Sequence, residues 1–321
     1  MDKTVTLTKR KKNVGRTLFI TLGLAWPILH FIVFWFFMNV GMVYNSLFDE
    51  TMRGELVWNN FEQYLDVFRY MFGIKYQEGN VVSYHSWLNT LSMIALALLI
   101  NLPLTLLFSY MIFKKVAMHQ VLRVGMYVPC VLSVVILCLF YKILLAGTTD
   151  YKSLVSILQS LGYNNEYVVK NGFLADKRTA WGAILVFSVW TGVNGNIIYF
   201  NSSMSRLPDG VLESAELDGA SEMRTFVSIV IPMIWPVITT MSITLISGAL
   251  AWYTPALLIV GDSKLGQTNT GTIAWMIIAN VNADKTVGYP AALGVVIAVL
   301  GGGLVLGFKR LMEKAFQEVE Y

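Results

Sequence analysis

The chain has 321 residues, 55% of them hydrophobic and only 14% charged, with a net charge of +4 and a mean hydropathy of +0.58. Soluble domains carry about 25% charged residues, so an ordinary water-soluble enzyme is excluded and a polytopic membrane protein is indicated. The basic residues form no clustered face with base-reading or stacking chemistry, which excludes nucleic acid as a partner.

Residues 1–16 read as a basic arm holding Lys3, Lys9, Arg10, Lys11, Lys12 and Arg16. A helical crossing of a bilayer needs about 20 apolar residues. Six such segments follow, at about Thr17–Tyr44, Ser86–Phe113, Val124–Ala146, Ala180–Ser203, Ile229–Val260 and Thr286–Phe308. Residues 17–321 are thus expected to form one transmembrane domain. The first segment has too long an apolar run for a signal peptide and no small-x-small site after it, so it is expected to stay as a span. The third carries Lys142 near its end, where a long side chain can snorkel to the interface. The shorter apolar run Gly271–Val281 reads as an interfacial or re-entrant helix. Cys130 and Cys138 fall in one predicted helix, about 12 Å apart along its axis, too far for a disulfide.

Lys and Arg concentrate on the cytoplasmic side of membrane proteins. With the arm inside, the inside segments also receive Lys114, Lys115, Arg123, Arg206, Arg224, Lys309, Arg310 and Lys314, which makes 14 of the 24 basic residues. The longer outside loops hold nine. Both termini are therefore expected in the cytoplasm, together with the loop between the fourth and fifth spans.

That loop, at about 204–228, reads Leu207-Pro208-Asp209-Gly210-Val211-Leu212-Glu213-Ser214-Ala215-Glu216-Leu217-Asp218-Gly219-Ala220 and continues through Phe226 to Ile231-Pro232. The pattern predicts a helix, a turn and a helix. Asp209 is expected to cap a helix running to Leu217, and Gly219 to supply a left-handed turn where a partner can approach closely. A second helix should start near Ser221 and run into the fifth span. Ser214, Ala215 and Ala220 keep the surface low, and Glu213 offers a carboxylate to a basic partner. An amphipathic loop helix ending on glycine is common, so the joint pattern carries the argument.

Glu213, Ser214 and Ala215, followed by Asp218, Gly219 and Ala220, resemble the cytoplasmic EAA signature of permease subunits in binding-protein-dependent ABC importers. The resemblance covers nearly the whole chain and points to the sugar-type branch, which includes the maltose and glycerol-phosphate permeases. Asn89-Thr90 opens the second span, Tyr127-Val128-Pro129 opens the third, Leu161-Gly162 lies in the next outside loop, and Trp190 precedes Glu213 by 23 residues. Two positions depart from the pattern: Ser214 replaces the usual second alanine, and Val260-Gly261-Asp262-Ser263 stands where the family shows a Gly-Gly-Pro turn.

The resemblance implies an all-α, type-I ABC importer permease fold with six transmembrane helices, in the cytoplasmic (inner) membrane of a bacterium or archaeon. It implies that the six signature residues pass ATP-driven motion from a separate ATPase to the membrane domain. The implied partners are a second, related permease, two ATPase subunits, an extracytoplasmic solute-binding protein, surrounding lipid and an oligosaccharide or related carbohydrate. ATP and Mg would sit on the ATPase, leaving this chain without a cofactor and without catalysis. The alternatives are a permease for a non-sugar solute and a secondary transporter. The latter would show internal symmetry, broken midplane helices and ionisable residues in its spans.

Two helical faces are candidates for the solute path. Ser188, Thr191, Gly192, Gly195 and Tyr199 recur at three- and four-residue spacing in the fourth span, as do Thr244, Ser247, Gly248 and Ala251 in the fifth. Small hydroxylated faces offer room and hydrogen bonds to a polyhydroxyl solute, and similar positions line the path in maltose-type permeases. The same spacing also mediates close helix packing. Asn194 and Asn196 are nearby polar alternatives. A near-match to the phosphate-binding loop, Gly261 to Thr268, has Gln267 where lysine belongs and lies outside the membrane. His30, His85 and His119 fall in a span, an outside loop and an inside loop, so no joint metal site is expected.

Overall fold

A computed structural model describes residues 14–50, 56–72, 84–147, 153–261, 264, 267–284 and 288–315. The arm up to residue 13 and the Asp262-Ser263 part of the departing turn lie outside the described residues.

Among the described residues, four helices without a sharp break are long and apolar enough to cross a bilayer: Leu18–Asn45, Tyr84–Phe113, Ala180–Met204 and Gly288–Ala315. These are the first, second, fourth and sixth spans. The third and fifth are bent pairs, His119–Val131 with Val134–Leu144 at 104° and Glu222–Met233 with Trp235–Leu250 at 77°. Six continuous apolar segments thus become four unbroken helices and two broken ones.

Prolines lie close to both breaks, and a proline lacks the N–H of the helical ladder and crowds the preceding turn. Beyond Pro129 the helix stops at Val131, Leu132 turns extended, and Ser133 caps the next helix by accepting a 3.3 Å bond from the Val135 N–H. Cys130 and Cys138, expected in one helix, therefore lie on opposite arms, the first exposed and the second buried, both as free thiols. In the fifth span Pro232 and Pro236 flank Ile234, where the chain bends. That span ends at Leu250, and Thr254–Val260 is a separate short helix with Pro255 in its first turn, not the span's continuation. Widened π-helical turns at Phe31–Phe36, Ala97–Asn101 and Phe226–Val230 likewise lie beside Pro27, Pro103 and Pro232.

Among the described residues the fold is helical apart from one small hairpin that the hydropathy does not foretell. Strands β1 (Phe48–Glu50) and β2 (Leu56–Trp58) pair antiparallel, with Phe48 opposite Trp58. The following helix, Glu62–Met71, buries Val67 against Trp87, Met276, Ala292, Leu293 and Val296. The run expected to be re-entrant forms the helix Ile273–Asp284, too short to cross a bilayer. The second span fastens its start: Asn89 Nδ2 donates to the carbonyls of Asn269 and Gly271, each at 2.8 Å, and Thr90 Oγ1 accepts from the Ile273 N–H at 3.1 Å.

A central core joins Met93, Leu137, Tyr141, Ile184, Phe187, Ile246 and Trp275 from four spans and the helix Ile273–Asp284. A second core at the loop end holds Leu106, Tyr110, Phe200, Met204, Leu212, Phe226 and Val230. The second and fourth spans pack along their length. Asn101 Nδ2 reaches the Ser188 carbonyl at 3.4 Å, Thr105 Oγ1 the Val193 carbonyl at 3.2 Å and Ser109 Oγ the Ile197 carbonyl at 3.3 Å. Each contact supplies a buried hydroxyl or amide with a partner that lipid cannot offer. The large side chains of the first span, such as Phe19, Trp26 and Phe37, stay exposed, as a lipid-facing helix requires.

Candidate functional site

The loop forms a short helix, Asp209–Leu217, entered directly from Pro208 with no side-chain cap. Asp209 therefore occupies the first helical turn and does not cap it as expected, although its carboxylate still suits the positive helix end. Leu212 and Ala215 turn inward, Leu212 into the loop-end core, while Glu213, Ser214, Leu217, Asp218 and Gly219 face outward. Ser214 Oγ bonds back to the Gly210 carbonyl at 2.7 Å.

Gly219, at φ +75°, closes the helix. Its N–H donates to the Glu216 carbonyl at 3.1 Å, and the Ala220 N–H donates to the Ala215 carbonyl at 3.0 Å. This pair of bonds is the Schellman closure, which needs a left-handed residue after the helix. Ser221 then caps the next helix, accepting from the Arg224 N–H at 3.4 Å. The turn is fixed from both sides, and a Cβ on Gly219 would meet nothing within this chain.

Polar contacts tie the loop to the end of the second span. Lys114 Nζ lies 2.7 Å from Glu216 and 3.2 Å from Glu222. Tyr110, one turn earlier, donates to Glu222 Oε2 at 2.6 Å, and its ring lies 4.6 Å from that of Phe226. The bond to Glu216 is the main reason the Lys114 pKa is raised above its ordinary value. Sequence reasoning counted Lys114 only as a topological charge and did not single out Tyr110, Glu216 or Glu222. A lysine directly after an apolar span, with glutamates on both sides of Gly219, was the available signal.

The fourth-span candidates separate. Ser188 is buried against the second span, and a Cβ on Gly192 would collide with the Asn101 amide. Thr191 is half-buried, whereas Gly195 and Tyr199 are open. The contact line with the second span runs from Ser188 and Gly192 to Val193 and Ile197. It leaves the lower part of the face uncovered. In the fifth span Thr244, Ser247, Gly248 and Ala251 are all exposed. Ser188, Thr191, Thr244 and Ser247 donate to carbonyls four residues back, at 2.9 to 3.0 Å, and the hydroxyl oxygens keep acceptor capacity. Asn194 is buried and bonds to the Trp190 carbonyl at 2.6 Å, and Asn196 is half-buried. Among the described residues no group of histidine, cysteine and carboxylates is arranged to hold a metal.

Residues 79–318 match the family model of the binding-protein-dependent transport system inner membrane component. The chain belongs to this family. It is a multi-pass inner-membrane protein, and the permease reading of the loop signature holds at the level of the family. Among curated relatives of this inner-membrane component, the arabinooligosaccharides transport system permease protein AraP of Bacillus subtilis is 21% identical over 274 residues, covering 85% of this chain and 82% of the relative. A probable ABC transporter permease protein of Mycoplasma pneumoniae is 27% identical, covering 68% and 66%. The sn-glycerol-3-phosphate permease UgpA of Yersinia enterocolitica is 32% identical over 80 residues, 25% of each chain.

A chain in the crystal structure of a bacterial ABC transporter importing the acidic polysaccharide alginate aligns over 94% of this chain and 98% of its own, with a TM-score of 0.75 at 18% identity. A second structure, containing an alginate pentasaccharide-bound periplasmic protein, aligns over 96% and 99% with a TM-score of 0.76, also at 18% identity. The ABC importer permease fold expected from the resemblance is therefore present. Broken spans, named above as a mark of secondary transporters, occur within it at Leu132 and Ile234.

Proposed function

We propose that this chain is the permease subunit of an ATP-driven importer for an oligosaccharide or related carbohydrate. The observation that carries the reading is the Schellman-closed turn at Gly219, which presents Glu213, Ser214 and Asp218 outward in a chain whose match to the transport family spans residues 79–318. The turn docks with a separate ATPase that binds ATP and Mg, while this chain performs no catalysis itself. Glu213, Ser214, Ala215, Asp218, Gly219 and Ala220 form the coupling element. A second, related permease completes the path, two ATPase subunits drive it, and an extracytoplasmic binding protein delivers solute. Both termini and the loop face the cytoplasm. The relatives' substrates, arabinooligosaccharides and alginate, support a carbohydrate cargo, and the open hydroxylated face Thr244–Ala251 suits a polyhydroxyl solute.

Reconstitution of the chain with the second permease, the ATPase and the binding protein in liposomes tests this. ATP-dependent uptake of a labelled oligosaccharide is expected. Uptake that persists without ATP, driven by an ion gradient, would overturn the reading in favour of a secondary transporter. Uptake of glycerol phosphate but of no saccharide would overturn the carbohydrate assignment alone.

A further inference from the structure

Apolar packing holds the loop onto the bundle through Leu212 and Phe226, but such contacts are non-directional and do not fix how the loop sits along a helix. The polar contacts to the second span do. Glu216 ends one arm of the turn and Glu222 starts the other, with Gly219 between them, and the Lys114 ammonium reaches both carboxylates. Its side chain is only 19% exposed, against 59% and 65% for the two glutamates, so the lysine is the anchored member. Tyr110 takes the second oxygen of Glu222. The same helix, Tyr84–Phe113, holds Asn269, Gly271 and Ile273 at its other end through Asn89 and Thr90. At a rise of about 1.5 Å per residue, these fastenings lie about 30–38 Å apart.

We propose that Lys114, assisted by Tyr110, is a positioning residue for energy coupling: it clamps both arms of the Asp209–Ala220 turn to the second span. Displacement of the turn is thereby delivered to this helix and carried to the segment that Asn89 fastens at the opposite end. The role rests on the importer reading given above. Without the clamp, the ATPase contact at Glu213 and Gly219 stays intact, but the turn moves against the helix instead of with it.

The experiment measures ATP hydrolysis and uptake of a labelled oligosaccharide in the same liposomes, using the complete importer. Lys114→Met keeps chain bulk and removes the charge. Its ratio of solute moved to ATP hydrolysed is expected to fall about fivefold or more, the lower bound of ordinary coupling between sites. Lys114→Arg keeps the charge and two donors and should restore most of the ratio. Tyr110→Phe preserves the ring contact with Phe226, so it keeps the assembly intact and should lower the ratio by a smaller factor. A purely structural role would change the amount of assembled complex and leave the ratio unmoved.

A wild-type ratio in Lys114→Met overturns the clamp, as does a loss in Lys114→Arg as deep as in the methionine variant. If Lys114→Met fails to assemble, an unchanged ratio in Tyr110→Phe overturns it. A wild-type complex that shows no ATP-driven uptake overturns the importer reading, and the clamp's role with it.

Discussion

The side chain of Asn101 occupies the space that a Cβ would take at Gly192, and its Nδ2 lies 3.4 Å from the Ser188 carbonyl one turn away. The second and fourth spans approach this closely because position 192 has no side chain. Asn101 ends the π-helical turn ahead of Pro103, which places its amide on the fourth span. Its Oδ1 is buried without a hydrogen-bond partner, so the contact is held by shape and by one long bond.

That geometry makes Gly192→Ala destabilising by about 1–3 kcal/mol, the usual cost of overpacking a tight interior. Asn101→Ala combined with Gly192→Ala should recover most of the loss, because the shorter side chain vacates the space. The thermal unfolding midpoint of the purified chain in detergent reads both effects. A Gly192→Ala variant as stable as the parent would show that the helices do not meet so closely.

At Gly219 the backbone and the partner can be separated. Asparagine tolerates the left-handed region, whereas a β-branched residue there is a conformational outlier. Gly219→Val should therefore lower stability. Gly219→Asn should leave stability near wild type yet reduce uptake, since its side chain meets nothing in this chain and would project toward the ATPase that the proposed function docks there. Glu213→Lys should abolish uptake while insertion stays normal. Wild-type uptake by Gly219→Asn and Glu213→Lys would remove the loop from the coupling path.

The two candidate faces now carry different expectations. Ser188 is buried beside the second span, its hydroxyl bonds the Ile184 carbonyl of its own helix, and Asn101 reaches its backbone carbonyl, so Ser188→Ala keeps the interhelical bond and should cause only a small loss that is the same for every saccharide. Ser247→Ala and Thr244→Val remove hydroxyls from an open face. Their uptake losses should vary with the hydroxyl pattern of the sugar. Equal, minor losses across a panel of saccharides would return the fifth-span face to packing.

Orientation is tested by labelling with a membrane-impermeant thiol reagent in intact cells, after Cys130 and Cys138 are replaced. Ser160→Cys, on an exposed helix end between the third and fourth spans, should be labelled. Ser221→Cys, exposed at the loop, should be shielded until the membrane is opened. The reverse pattern would place the loop outside and rule out coupling through it.

The positions of the crossings and of the loop were legible in the sequence because both depend on local terms. Transfer of an apolar segment into lipid is close to a sum over its own residues, and the Gly219 closure depends on one backbone conformation within the short window Ala215 to Ala220. Hydropathy reads the third and fifth spans as continuous and registers neither the bends of 104° and 77° nor the separation of Thr254–Val260.

Contacts between residues far apart in sequence were decided by the tertiary structure alone. Lys114 reads as one more inside charge until the fold brings it to Glu216 and Glu222, across 102 and 108 positions of chain. Ser188, Gly192, Gly195 and Tyr199 share one face by periodicity, yet the first two are covered and the last two open. Helical spacing fixes which side chains lie on a common face. Which stretch of that face is buried depends on where the second span meets it, and Asn101, Thr105 and Ser109 make that contact at the Ser188, Val193 and Ile197 carbonyls.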